Sequence, residues 1–190
     1  MDLDKLLEIR RTYRSFDEGK TISKEDAEKI IRAEKFASRG ANRQTLRYAV
    51  VRNKDLVNKI TDNAKWAGKI PNDKGRPQIG KRPVMYILVY TDNSAYSKVD
   101  AGLAISNMTL KAMDLNIGSC ILAAINKKEI SKLIQEPEGY ELMLAIAFGY
   151  PAHKSEIIEA KDDKLDYTRD ENGDYKVERT ATERLFKIYE

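Results

Sequence analysis

Val84-Met85-Tyr86-Ile87-Leu88-Val89-Tyr90 is a run of seven apolar residues with no charged or alternating polar position. A strand exposed on one face alternates apolar and polar side chains; an uninterrupted run is the pattern of a strand covered on both faces. The chain therefore builds a sheet with a layer on each side. Downstream, residues 100–115 keep helical character but place Ala101, Leu103, Ala104, Ile105, Met108, Leu110, Ala112 and Met113 in nearly every direction. A helix apolar all round must be buried, and in a chain this small a second subunit is a natural cover. Residues 117–125 and Leu142-Met143-Leu144-Ala145-Ile146-Ala147-Phe148 read as two further buried strands, the second ended by Gly149-Tyr150-Pro151. Between them, Asn126-Lys127-Lys128-Glu129 caps a short helix carrying Ile130 and Leu133.

Upstream of the run, Leu3, Leu6 and Leu7 mark a first helix capped by Asp2 and running to about Ile9. Ser23-Lys24-Glu25-Asp26 opens a second helix with Ala27, Ile30, Ile31 and Ala33 inward. That helix is expected to stop near Arg39-Gly40, with the glycine in a left-handed cap. Residues 46–52 read as a strand, and Asn53 caps a third helix with Leu56, Val57, Ile60 and Ala64 inward. Residues 68–82 interleave glycine and proline with lysine and arginine, the composition of a long mobile loop; a lid and a plain surface excursion both fit it. From residue 152 to 190 the chain is polar and charged apart from Leu185, Phe186, Ile188 and Tyr189, so an extended C-terminal arm that crosses to a partner is expected. The order is that of an α/β (α+β) sandwich, one domain over residues 1–190, working as a homodimer.

Composition removes several classes of function. The net charge is only +4, with basic and acidic residues interspersed, so there is no basic stripe of the kind nucleic acid needs. No apolar run is long enough to span a bilayer. Cys120 is the only cysteine, which rules out an intrachain disulfide, and the N-terminus lacks the apolar core of a signal peptide; both fit a cytoplasmic protein. With His153 the only histidine, a zinc site or a Ser-His or Cys-His hydrolytic site has little material. No metal is expected. Cys120, inside an apolar strand, reads as an inert buried thiol, and His153 as a surface residue. Neither Gly-x-Gly-x-x-Gly after a strand nor a P-loop occurs, so a Rossmann dinucleotide site and a P-loop nucleotide site are both disfavoured. What remains is chemistry carried by a cofactor.

Two polar clusters are candidates for holding one. Arg10-Arg11-Thr12-Tyr13-Arg14-Ser15-Phe16 puts three guanidiniums within five residues, directly after the first helix. Arginine forks match phosphate oxygens in a bidentate way, and hydroxyls add shorter bonds. Alone, the stretch fits a solvated basic face as well as an anion site. The second cluster is Ala37-Ser38-Arg39-Gly40-Ala41-Asn42-Arg43-Gln44.

With Gly118-Ser119-Cys120 and Ala147-Phe148-Gly149-Tyr150-Pro151, these two clusters make a series that resembles the nitroreductase family of FMN-dependent oxidoreductases, over nearly the whole chain. The resemblance implies a nitroreductase-like fold, a central and mostly antiparallel sheet flanked by helices, in an intertwined homodimer. It implies FMN as cofactor and NADH or NADPH as co-substrate. Arg10, Thr12 and Arg14, with Arg11, fall where the family holds the FMN phosphate and ribityl oxygens. Ser38 and Asn42 match positions that reach the flavin from the neighbouring subunit, and Gln44 matches a further polar position of the same motif. Leu122 and Ala123 correspond to positions whose backbone approaches the ring, with the Ala123 amide a donor to flavin N5. Lys176 and Arg179 are candidates for a C-terminal phosphate contact, Arg179 favoured. The implied reaction is hydride transfer from NAD(P)H to flavin N5, then electron transfer to a small electron-poor acceptor such as a nitroaromatic or quinone, in ping-pong order. The alternative is a non-catalytic FMN-binding redox sensor or flavin-storage protein. Departures from the family pattern include Thr45-Leu46-Arg47-Tyr48 after Gln44, where Pro-Trp is common, and Ile121 after the cysteine, where many members have an aromatic residue.

Overall fold

The computed structural model describes residues 2–70, 75–160 and 165–190. Val84, the first residue of the apolar run, is half-buried; from its second residue on the run forms strand β2 (Met85–Thr91), every residue of which is buried. It sits inside a four-stranded sheet with β1 (Leu46–Val51), β3 (Gly118–Leu122) and β4 (Glu141–Gly149), in the order β1-β2-β4-β3. Every pairing in this sheet is antiparallel. The β2–β4 register shifts between Val89 and Tyr90, which pair with Leu144 and Leu142 and leave Met143 as the bulged residue.

Alternate residues of β2 feed two separate cores. Met85, Ile87 and Val89 pack with Ala27 and Ile30 of α2 (Lys24–Arg32) and with Ala104, Ile105 and Met108 of α4 (Ser97–Asp114). Tyr86, Leu88 and Tyr90 pack with Val57 and Ile60 of α3 (Lys54–Asp62) and Ile130 of α5 (Lys127–Leu133). Burying apolar side chains on both faces is what an uninterrupted apolar strand requires, and the result is three layers, helix on sheet on helix.

Caps place the helix starts. Ser23, Asn53 and Asn126 each accept a hydrogen bond from the main-chain N–H three residues on, that of Asp26, Leu56 and Glu129 respectively. Asp2 precedes α1 (Leu3–Ile9) but makes no side-chain capping bond. The second helix also ends earlier than the sequence suggests. Its α-helical part stops at Arg32, and a 3-10 turn, Ala33–Phe36, continues it. The left-handed residues that follow are Ala41 and Asn42, with φ of 50° and 53°, not Gly40. Gly40 is required for a different reason: a Cβ there would lie 2.8 Å from Cγ of Tyr96.

Two expected features take other forms. The strand read over 117–125 is shorter and sits at the sheet edge, and Ile121 is 48% exposed, because β3 has a neighbour on one side only. Beyond Pro151, where an extended arm is expected, β5 (Ser155–Glu159), β6 (Tyr167–Arg169) and β7 (Tyr175–Arg179) form a second sheet in the order β5-β7-β6. β5 runs parallel to β7, and β6 runs antiparallel to it. Past β7 only a short 3-10 turn, Thr182–Arg184, follows, and Leu185, Phe186, Ile188 and Tyr189 are all exposed.

Residues 71–74 of the expected mobile loop lie outside the described residues. The flanking parts are tied down. Lys69 donates through Nζ to the Leu165 carbonyl and pairs with Asp166. Glu18 accepts from the Gly80 and Arg82 amides, and Arg82 bridges to Asp62 at 2.8 Å.

Candidate functional site

The arginine cluster is laid across one end of the main sheet. The Tyr13 amide donates to the Ser119 carbonyl at 2.9 Å, Thr12 bridges to Ser119, and Phe16 bridges to Pro151. Two glycines make this approach possible. Gly118 and Gly149 face each other across the β3–β4 pair. A Cβ on Gly118 would come within 2.7 Å of the Tyr13 ring, and one on Gly149 within 2.9 Å of Phe16. With Tyr13 and Phe16 both buried, the segment between them is fixed and the arginines are turned outward.

They open onto a cavity of about 200 Å³ lined by Arg10, Arg11, Thr12, Arg14 and, from the second sheet, Ser155, Ile157, Tyr167, Val177 and Arg179. Four guanidiniums therefore converge on one space. Arg10 Nε, Arg11 Nε and Arg14 Nη1 are shielded from solvent and have no hydrogen-bond partner among the described residues. Burial, followed by the nearby charges of Arg10 and Arg179, pushes the Arg11 guanidinium below its ordinary pKa. Buried donors normally find partners, and like charges are not gathered without a counter-charge. A phosphate dianion meets both requirements.

The period of β7 separates the two C-terminal candidates. Tyr175, Val177 and Arg179 share one face of the strand, and Val177 and Arg179 line the cavity. Lys176 is on the opposite face, exposed, with Glu156 at 3.8 Å. Arg179 is brought to the cluster and Lys176 is not.

The other expected residues are elsewhere within this chain. Ser38, Asn42 and Gln44 are exposed on the segment leading into β1. That segment is anchored by Asp100, only 1% exposed, whose carboxylate accepts from the Gly40 amide at 2.9 Å and from the Thr45 hydroxyl at 2.8 Å. The Gln44 carbonyl accepts from Arg47 and from the Tyr140 hydroxyl. Leu122 is buried at the last β3–β4 pair, opposite Ala145, and Ala123 is exposed one residue beyond it. A second, apolar cavity of about 290 Å³ opens beside this strand, between Ala101, Gly102 and Ile105 of α4, Ile121 of β3, and Met143 and Leu144 of β4, with Arg10 at its edge. Arg10 thus borders both the basic cavity and the apolar one.

Two groups missed by the sequence reading belong to the basic cavity's support. Tyr175, 2% exposed, lies under Arg14, whose guanidinium sits 4.9 Å from the centres of both Tyr175 and Tyr167. His153, expected at the surface, is lodged between Tyr13 and Tyr175, with ring centres 5.4 and 5.0 Å away. Its Nε2 accepts from the Arg14 amide at 2.8 Å. Asn172-Gly173, with Gly173 at φ 88°, is the turn signal from which the β6–β7 hairpin could have been read. Cys120 is buried, as expected, and burial pushes its thiol up to about 11. Among the described residues there is no cluster of His, Cys, Asp and Glu able to hold a metal ion, and no helix long and apolar enough to cross a membrane.

The chain is thus a helix–sheet–helix sandwich with a guanidinium-lined cavity at the sheet end. Residues 7–150 match the model of the Nitroreductase family, and the chain belongs to that family. An Archaeoglobus fulgidus protein named NADH dehydrogenase/NAD(P)H nitroreductase is 29% identical over 168 residues, 83% of this chain and 90% of that one. A Bacillus subtilis protein named FMN reductase [NAD(P)H] is 25% identical over 166 residues, 80% of this chain and 66% of that one. The fold matches the crystal structure of a nitroreductase with bound FMN from Desulfitobacterium hafniense, with a TM-score of 0.67 and 23% identity, over 87% of this chain and 97% of the other.

Proposed function

We propose that this chain is an FMN-dependent NAD(P)H oxidoreductase that works as a homodimer. The observation that carries the reading is the convergence of Arg10, Arg11, Arg14 and Arg179 on one cavity of about 200 Å³, with a shielded and unpaired guanidinium nitrogen on each of the first three. These side chains and the Thr12 hydroxyl hold the phosphate by charge-assisted hydrogen bonds. Bound FMN supplies the redox chemistry: hydride acceptance at N5 from NADH or NADPH, and reduction of an electron-poor acceptor such as a nitroaromatic or quinone, in ping-pong order. The chain's own residues bind and orient. Arg10 lines both cavities, so it would hold the phosphate in the basic one while Ile105, Ile121 and Leu144 would form the apolar wall for the ring. The exposed Ala123 main chain, just past the end of β3, would be the N–H donor to the flavin ring.

The dimer reading rests on what this chain leaves open. Val99 is 62% exposed and Leu103 42% exposed on α4, next to the apolar cavity. A partner covers this face and brings Ser38 and Asn42, with Gln44, to the flavin. The direct test is a comparison of FMN with riboflavin as ligands of the apoprotein. Two or three charge-assisted bonds of about 1.5–3 kcal/mol each make FMN the tighter ligand by at least about a hundredfold. Equal affinities would remove the phosphate cradle from the account.

A further inference from the structure

We propose that His153 is a positioning residue of the phosphate cradle, holding the Arg14 main chain through its unprotonated Nε2, so that the cradle is complete only while the imidazole is neutral. The inference rests on the FMN reading above and concerns a residue outside the matched segment 7–150.

The hydrogen bonds determine the tautomer. Nε2 receives the Arg14 amide at 2.8 Å, so it carries no proton. Nδ1 lies 2.8 Å from the Lys154 carbonyl, which can only accept, so Nδ1 carries the proton. Both ring nitrogens are occupied in the neutral form. A second proton on Nε2 would set donor against donor at the Arg14 amide, and this bond joins the end of the main sheet to the start of the second sheet. Arg14 then loses the anchor that sets its guanidinium over Tyr167 and Tyr175.

The surroundings of the ring also favour neutrality. Tyr13 and Tyr175 flank it, and Arg14 and Arg169 are the neighbouring cations. Asp174 is the nearby carboxylate, and its Oδ1 is engaged by the Lys154 amide at 2.7 Å. Burial is the main cause of a lowered His153 pKa, with the Lys154 carbonyl opposing it. The sign of the effect separates this role from simple attraction: a histidinium that merely drew the phosphate by charge would tighten FMN as pH falls, whereas a histidine that must accept from Arg14 loosens it.

The test measures FMN dissociation constants from pH 5 to 8 for the wild type, His153→Gln and His153→Leu. Glutamine offers an acceptor oxygen that does not titrate; leucine offers none. The phosphate's own titration, near pH 6, is common to all three proteins and cancels in their ratios. The expected results are near-wild-type affinity for His153→Gln at pH 8, and about a five- to tenfold loss for His153→Leu relative to His153→Gln at every pH, the equivalent of one buried hydrogen bond. Toward pH 5, wild-type affinity falls relative to His153→Gln by a similar factor. Should His153→Leu fail to fold, the wild-type and glutamine proteins carry the comparison. As the only histidine, His153 also gives a directly assignable proton NMR titration in the untagged apoprotein. A wild-type to glutamine ratio that is flat, or that rises toward acid, overturns the proposal. Absence of FMN binding to the wild type at pH 8 overturns the FMN reading instead.

Discussion

Replacing Asp100 by alanine should be among the most costly single substitutions in this chain. The carboxylate is buried in the first turn of α4, where the helix dipole favours negative charge. It is the common acceptor for the Gly40 amide at 2.9 Å and the Thr45 hydroxyl at 2.8 Å. Thr45 is itself 1% exposed, so its hydroxyl has no ready access to water once the carboxylate is gone. Each bond to a charged acceptor contributes about 1.5–3 kcal/mol, which puts the loss for Asp100→Ala at about 3–5 kcal/mol. Asn in its place keeps an oxygen for Gly40 and turns an N–H₂ toward a hydroxyl that can accept, so Asp100→Asn costs about 1–2 kcal/mol. Urea unfolding with a common m-value reads both differences. The functional consequence follows from position: the anchored segment carries Ser38 and Asn42, so the alanine variant should also hold FMN more weakly. A stability within about 1 kcal/mol of wild type for Asp100→Ala would refute the argument that this carboxylate organises the segment.

Three further outcomes follow from the geometry. Arg179→Ala should weaken FMN by at least about tenfold, one charge-assisted bond, while Lys176→Ala, on the other face of β7, should stay within about twofold; fluorescence titration of the apoprotein compares them directly. Gly118→Ala, which places a methyl 2.7 Å from the Tyr13 ring, should cost about 1–3 kcal/mol by thermal or urea unfolding, with the arginine segment shifted off the sheet end. The lowered His153 pKa makes stability depend on pH in one direction. Below the ordinary imidazole value of 6.5 the unfolded chain takes up a proton that the folded chain resists, so this contribution is fully present above pH 6.5 and is lost as pH falls from there toward the folded value. His153→Gln should remove that part of the acid loss, as read by the difference between unfolding curves at pH 7.5 and pH 5.5.

The layered fold was legible because it rests on patterns that burial enforces. An apolar run such as Val84–Tyr90 has few alternatives to a central strand, and Ser23, Asn53 and Asn126 mark helix starts through local hydrogen bonds. The arginine cluster was legible for a similar reason, since three guanidiniums in five residues require a counter-charge or solvent. What escaped was non-local. β5, β6 and β7 are short and polar, and their anchors are single residues, Tyr175 and Tyr167, whose roles depend on Arg14 and His153 lying against them. His153 accepts from an amide 139 positions away, a partner that no spacing rule supplies. Arg179 is favoured over Lys176 by the resemblance alone, and it is the register of β7 that puts Arg179 and not Lys176 on the face toward the cavity. The left-handed turn expected at Gly40 falls on Ala41 and Asn42 instead, and the glycine is required for a non-local reason: Tyr96 occupies the space a side chain there would need.

The central claim, a flavin held by this cradle and reduced by a nicotinamide, is tested most directly by the visible spectrum of the FMN-loaded protein recorded anaerobically before and after addition of NADH or NADPH. The oxidised-flavin bands should bleach with one equivalent of either donor and return when a quinone or nitroaromatic is added. Bands that persist in a fully loaded protein with both donors, or a protein that takes up no FMN, would contradict that claim.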